Sequence, residues 1–165
     1  VLNCIGLERF KMTKMLAESD FNEIFCPPVI TFLIALKYSS KKDFISDNGS
    51  IITMSSVSAV RGKSGMLLYG SARATLESMV KHSAAELSRK GIRVNAIRAG
   101  AIETPMHDRS IKNMDKKSLE AFETSHLLGF GTKRDISSLI SFLFSDDSKW
   151  ITGSVITADG GYLAE

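Results

Sequence analysis

The chain alternates between short apolar runs and longer stretches in which apolar residues recur every three or four positions. Val1 to Ile5 predicts a short buried strand closed by Gly6. A partly helical stretch follows to about Tyr38. Pro27-Pro28 is expected to kink or break it, because proline brings no backbone N–H and crowds the preceding turn. "SDNGS" at 46–50 reads as a turn, and "IITMSS" at 51–56 as a strand buried on both faces. From Leu67 to Arg89 the spacing of Leu68, Ala72, Leu76, Met79, Ser83 and Leu87 predicts a helix. Arg89 and Lys90 suit its negative end, and Gly91 stops it. "IRVNAI" at 92–97 is a further strand. The segment 105–131 is more polar and predicts one helix, around Lys117 to Thr124. "TKRD" at 132–135 has the form of a capping box, and Ile136, Leu139, Ile140, Leu143 and Phe144 continue at helical spacing. "SVITADGG" closes as a strand and a turn. Strands and helices in alternation predict an α/β layer fold with a parallel sheet.

Composition narrows the class. The 165 residues suffice for one domain, 1–165, with a real core. A net charge of +3, from 21 basic and 18 acidic residues, is too mild for nucleic acid or an anionic membrane surface. Cys4 and Cys26 show neither metal spacing nor a CxxC pattern, so no metal is expected, and a reduced, cytoplasmic compartment fits. "NGS" at 48–50 is a formal glycosylation sequon, read here as an Asn-Gly turn. "VITFLIAL" at 29–36, the longest apolar run, is far too short to span a bilayer. The chain starts without methionine, inside a strand-like run, and is expected to be the back part of a longer protein.

Several motifs are set aside. "RGKS" at 61–64 lacks the earlier glycine of a phosphate loop, since Val57 stands there. "GFG" at 129–131 follows no strand, and "GKSGM" at 62–66 lacks the last glycine of a nucleophile elbow. His82, His107 and His126 have no ligand spacing.

One constellation remains. Ser56 ends a parallel strand and Tyr69 opens the next helix, at the end of the sheet where α/β proteins bind ligands. Arg73 follows Tyr69 by four residues, on the same helix face. A phenol is a useful acid or base near neutrality only beside a cation that stabilises the phenolate. A serine hydroxyl can polarise a carbonyl oxygen by hydrogen bonding.

With these residues in view, the chain resembles the short-chain dehydrogenase/reductase family along its whole length. "VLNCIG" is similar to the family's Asn-Asn-Ala-Gly segment. "GSIITMSSVSAVRG" resembles the strand that ends in the active-site serine, and "YGSAR" matches Tyr-x-x-x-Lys except at its last letter. "GIRVNAIRAGAIETPM" resembles the nicotinamide-contacting segment, and "DISSLISFLFSDDSKWITGSVITADGG" the C-terminal helix and last strand. The resemblance implies a Rossmann-like doubly wound parallel sheet with helices on both faces. It also implies hydride transfer between NAD or NADP and a small-molecule carbonyl or secondary alcohol, with 3-oxoacyl reduction the commonest activity for this pattern. Ser56 would bind the carbonyl oxygen, Tyr69 would be the general acid, and Arg73 would stand for the family's lysine. Asn3, Gly6, Tyr69, Arg73, Gly100, Ile102 and Thr104 would line the cofactor seat. A homodimer or homotetramer through the long helices is implied, with "GSARA" at 70–74 small enough for close helix packing.

Departures from the pattern carry expectations too. Arginine keeps the lysine's charge but is bulkier, planar and does not give up its proton near neutrality. The family's helical asparagine falls near Pro28, its Pro-Gly is Ala99-Gly100, and its second asparagine is Cys4. The glycine-rich strand–turn–helix that seats a pyrophosphate is not in this sequence, nor is the residue that selects NAD or NADP. Without that first strand the edge at Val1 stands open, which predicts association or aggregation. Two alternatives stand beside the enzyme: a non-catalytic relative kept as an assembly partner, and a gene fragment. Met106, Ile111, Met114 and Phe122 are expected to pack rather than form a lid.

Overall fold

The computed structural model describes residues 1–41 and 44–164. Four parallel strands form one sheet in the order β1 (Leu2–Asn3), β2 (Ser50–Ser56), β3 (Arg93–Ala99) and β4 (Val155–Ala158). The expected parallel sheet is present, and its two faces are both covered. Ile51, Val94 and Ala96 face α2 (Cys26–Ser39) and α3 (Leu67–Leu87), in a core shared with Phe32, Leu76, Val80 and Ala84. Ile52 and Ile97 face the other way, onto Ile136 and Leu143 of α6 (Lys133–Phe144). Successive strand residues thus enter opposite cores, which is why these strands read as unbroken apolar runs.

Local signals explain most boundaries. α3 gives way to a single 3-10 turn (Ser88–Lys90), and Gly91 ends it in the left-handed region at φ 68°. Asn48 also sits at positive φ, so "NGS" is a turn. Thr132 and Asp135 form the expected capping box: Asp135 Oδ2 accepts from the Thr132 N–H at 2.7 Å and from its hydroxyl at 2.7 Å.

Three expectations need correction. Only Asn3 of the first apolar run is buried; Val1, Leu2 and Ile5 are exposed, because β1 is an edge strand two residues long. The proline pair does not break its helix. α1 (Glu18–Asp20) continues through a π-helical turn (Phe21–Phe25), whose wider ring places the prolines in the first turn of α2. The resulting helix, Glu18–Ser39, is by length and composition apolar enough to cross a membrane, although "VITFLIAL" alone is not. It carries Glu18, Asp20 and Glu23 in its first turns and buries Ile24, Pro28 and Phe32 within the fold. Finally, the polar segment holds two helices rather than one. α4 (Pro105–Ile111), capped by Thr104 with proline at its first position, precedes α5 (Lys116–Thr124).

Candidate active site

Register brings the strand ends into one row. Ser56 pairs with Ala99, and Ala99 with Ala158. Asn3 pairs with Thr53 and ends β1, and Gly6 follows it against the Arg73 guanidinium. Ser56 and Gly100 lie at the carboxyl edge of the sheet, the usual place for ligands in open α/β folds.

Ser56 caps the turn that follows β2: its Oγ accepts from the Ser58 N–H at 3.2 Å, leaving the hydroxyl hydrogen free to donate. Tyr69 is the third residue of α3 and is half-buried. Gly70 holds this helix start against the Ser56 loop. A Cβ on Gly70 would lie 2.5 Å from the Ser58 carbonyl oxygen, so any larger residue forces the helix away. "GSARA" thus points largely inward, with Gly70, Ala72 and Arg73 buried in this chain.

Arg73 is 5% exposed. Its Nη1 donates to the Ile5 carbonyl at 3.2 Å and the Met54 carbonyl at 3.0 Å, tying the chain after β1 to β2. Its Cζ lies 4.9 Å from the centre of the Tyr69 ring. Among the described residues no hydrogen bond joins the guanidinium to the phenol oxygen and no carboxylate pairs with Arg73. The charge rests on the ring face instead, a contact worth about 0.5–2 kcal/mol. Nε is buried without a partner, which costs about 1–3 kcal/mol. Nη2 lies against Gly6, where a Cβ would collide with it. Burial pushes the neighbouring Cys4 thiol up, against the pull of the Arg73 charge.

One turn along α3 lies a second charged cluster that the sequence reading missed. Arg98 donates from Nε to Glu77 Oε1 at 2.9 Å and from Nη2 to Oε2 at 2.7 Å. Ser55 donates to the same Oε1 at 2.7 Å. The Glu77 hydrogen bonds raise the Arg98 pKa, and the cluster locks α3 onto β2 and β3. The signal was available, since Glu77 follows Arg73 by four residues on a helix face otherwise small and apolar.

Asn3 does not face an open groove. It donates to Thr53 Oγ1 at 3.1 Å and to the Pro28 carbonyl at 3.5 Å, and accepts from the Thr31 hydroxyl at 3.2 Å. Its buried amide joins the edge strand to α2.

The segment after β3 is held from three sides. Gly100 donates to Ala158 at 3.0 Å and packs so closely on Asp159 that a Cβ would reach 2.8 Å from its Cα. The Gly131 N–H donates to Ala101 at 2.9 Å, and the Glu103 N–H to Gly131 at 2.9 Å. Ile102 lies between them, bridged to Gly131. Its own N–H and carbonyl make no hydrogen bond among the described residues. Thr104 Oγ1 accepts from the His107 N–H at 3.2 Å, leaving its hydrogen free. Ile102 and Thr104 together present one free amide donor, one free carbonyl acceptor and one hydroxyl. A primary carboxamide, with one acceptor and two donor hydrogens, complements that set. The cofactor expected from the sequence therefore fits at its nicotinamide end, whereas beside Gly6 the chain's own guanidinium fills the space.

Phe122 does pack, as expected, in a cluster with His107, His126, Phe130 and Tyr162. Among the described residues no group of three histidine, cysteine or carboxylate side chains could hold a metal ion.

A family profile described as enoyl-(acyl carrier protein) reductase matches residues 1–163. The chain is 34% identical over 163 residues to a hydroxynaphthalene reductase of Aspergillus fumigatus, covering 93% of this chain and 59% of that one. It is 40% identical over 117 residues to a 3-oxoacyl-[acyl-carrier-protein] reductase of Thermotoga maritima, covering 70% of this chain and 46% of that one. The chain thus spans about half to three fifths of the length of these curated relatives. Among solved structures, a 4-hydroxyisoleucine dehydrogenase mutant complexed with NADH and succinate superposes with a TM-score of 0.84 at 27% identity, over 99% of this chain and 68% of that one.

Proposed function

This chain belongs to the short-chain dehydrogenase/reductase family, and on that premise we propose that it is the catalytic portion of an NAD(P)-dependent oxidoreductase. Its substrate class is a small carbonyl compound or secondary alcohol. The observation that carries the proposal is Ile102, whose amide and carbonyl stay unbonded while both neighbours are engaged. Ile102 and Thr104 would hold the nicotinamide carboxamide. The bound nicotinamide supplies the hydride. Ser56 donates its free hydroxyl hydrogen to the substrate carbonyl oxygen and polarises it. Tyr69 delivers the proton to the same oxygen, or removes it when an alcohol is oxidised. Arg73 holds the Tyr69 ring and the two strand ends rather than the phenol oxygen.

Within this class we favour a 3-oxoacyl or related ketone as substrate, on the likeness to the Thermotoga maritima reductase. A homo-oligomer suits the outer face of α2, where Ile30, Leu33, Ile34 and Tyr38 are exposed beside a groove of about 440 Å³ shared with α3. Sedimentation of a stable monomer would exclude that assembly.

The enzymatic reading is tested in the full-length protein by following nicotinamide absorbance with an activated ketone. Turnover in wild type that disappears in Tyr69→Phe supports it. Absence of turnover with both NADH and NADPH, in protein shown to bind one of them, would favour a non-catalytic assembly partner.

A further inference from the structure

We propose that His126 is a positioning residue for the segment 100–104, held in its Nδ1–H tautomer by the backbone on both sides of the ring. This rests on the reading of that segment as the nicotinamide seat. His126 is 3% exposed and lies 25 residues from the amide it holds. The Ala101 N–H points at Nε2 from 3.2 Å. An amide can only donate, so Nε2 must carry the lone pair. Nδ1 then carries the hydrogen, and it faces the Phe122 carbonyl at 3.0 Å, which can only accept. Both backbone partners demand the same tautomer.

The ring is fixed in the remaining directions by aromatic neighbours. Tyr162 stacks on it at 4.5 Å, and Phe122 and Phe130 meet it edge-on at 5.2 and 5.4 Å. Tyr162 in turn lies under Arg61, whose Cζ is 4.2 Å from the ring and whose Nη1 donates to the Tyr162 carbonyl at 2.7 Å. Arg61 belongs to the loop that follows Ser56. The stack therefore runs from the serine loop through Tyr162 and His126 to Ala101. It fixes the neighbour of Ile102 and so the backbone that carries the free Ile102 groups. A phenylalanine would fill the same space but offer no acceptor to Ala101. A glutamine offers one oxygen at about the reach of Nε2.

The experiment is nitrogen NMR on uniformly nitrogen-15-labelled full-length protein, with amide hydrogen exchange read at Ala101. Wild type should show the Nδ1–H tautomer for His126. His126→Phe should make the Ala101 amide exchange about tenfold faster, and His126→Gln should restore most of the protection. An Nε2–H tautomer, or Ala101 exchange that is the same in His126→Phe as in wild type, overturns the proposal. If His126→Phe does not fold, the wild-type tautomer alone decides. Adding NADPH and NADH to the labelled sample separates the two readings. Signals of Ile102 and Thr104 that ignore both cofactors would count against the nicotinamide seat, whereas the tautomer and the Ala101 exchange need no cofactor.

Discussion

Two arginines lie beneath the site, Arg73 on α3 itself and Arg98 reaching from β3 to Glu77 one turn along that helix, and the molecule treats their charges in opposite ways. Arg98, toward β4, meets Glu77 in a two-pronged ion pair that Ser55 completes. Arg73, toward the β1 edge, meets among the described residues two carbonyls and an aromatic ring, and one of its nitrogens is buried unbonded there. A neutralised, fully bonded pair serves the fold. An arginine left with its charge uncompensated beside a tyrosine keeps that charge for chemistry or strains the site to brace a strand. At this position the brace is what the contacts describe. The β3–β4 side of the site is thus fully formed around an open pair of groups on Ile102, while the β1 side is closed by the protein itself.

The largest effect should come from breaking the well-made side. Glu77→Gln leaves the half-buried Arg98 without its counter-charge and should destabilise by about 3 kcal/mol. A thermal melt should fall by roughly 10 °C for a chain of this size. A loss near zero would mean that the pair is not a structural element. Gly6→Ala attacks the other side. The new Cβ meets the Arg73 guanidinium, and the cost should be about 1–3 kcal/mol. In an Arg73→Met background the same substitution should cost much less, and equal costs in both backgrounds would show that Gly6 and Arg73 do not constrain each other.

A smaller effect concerns acid. Asp20 fastens the chain after β1, with its carboxylate 2.6 Å from Lys11 Nζ, 2.8 Å from the Ala17 N–H and 3.6 Å from Arg9. The Lys11 hydrogen bond, followed by that from Ala17, lowers its pKa. A depressed carboxylate stabilises the fold above the ordinary aspartate value of about 4, and that contribution disappears as pH falls through the lower folded value. Asp20→Asn should therefore flatten the dependence of melting temperature on pH below roughly 4, and an unchanged slope there would contradict the assignment.

The order of elements was legible because β2, β3 and β4 are short apolar runs and α3 and α6 carry clear periods with recognisable ends. α4 was not, since "PMHDRSI" has no apolar period; Thr104-Pro105 marked its start, but only a cap without a following stripe. The passage of the helix through Pro27-Pro28 depends on a π-helical turn, which has no local signature comparable to proline's. At the site, the placement of Ser56 and Tyr69 on a strand end and the following helix start followed from the strand–helix boundary. The orientation of Arg73 did not, because its carbonyl partners at Ile5 and Met54 lie 68 and 19 residues away. His126 was hidden for a related reason. Metal spacing was the wrong question for it, although Phe122 and His126 at helical spacing with Phe130 beyond do mark an aromatic cluster.

The central claim is that the guanidinium of Arg73 braces the backbone instead of serving the phenol oxygen of Tyr69. Arg73→Lys in the full-length protein tests it most directly. The shorter ammonium side chain cannot reproduce the planar fork, so it gives up part of the brace while gaining freedom to approach a ligand hydroxyl and the phenol. The measurement is the turnover rate for a generic secondary alcohol, beside wild type and Tyr69→Phe. The account predicts a rise of about tenfold in the lysine variant, together with a lower melting temperature and no activity in Tyr69→Phe. A rate that falls on going to lysine would show that the site works through arginine and would contradict the claim.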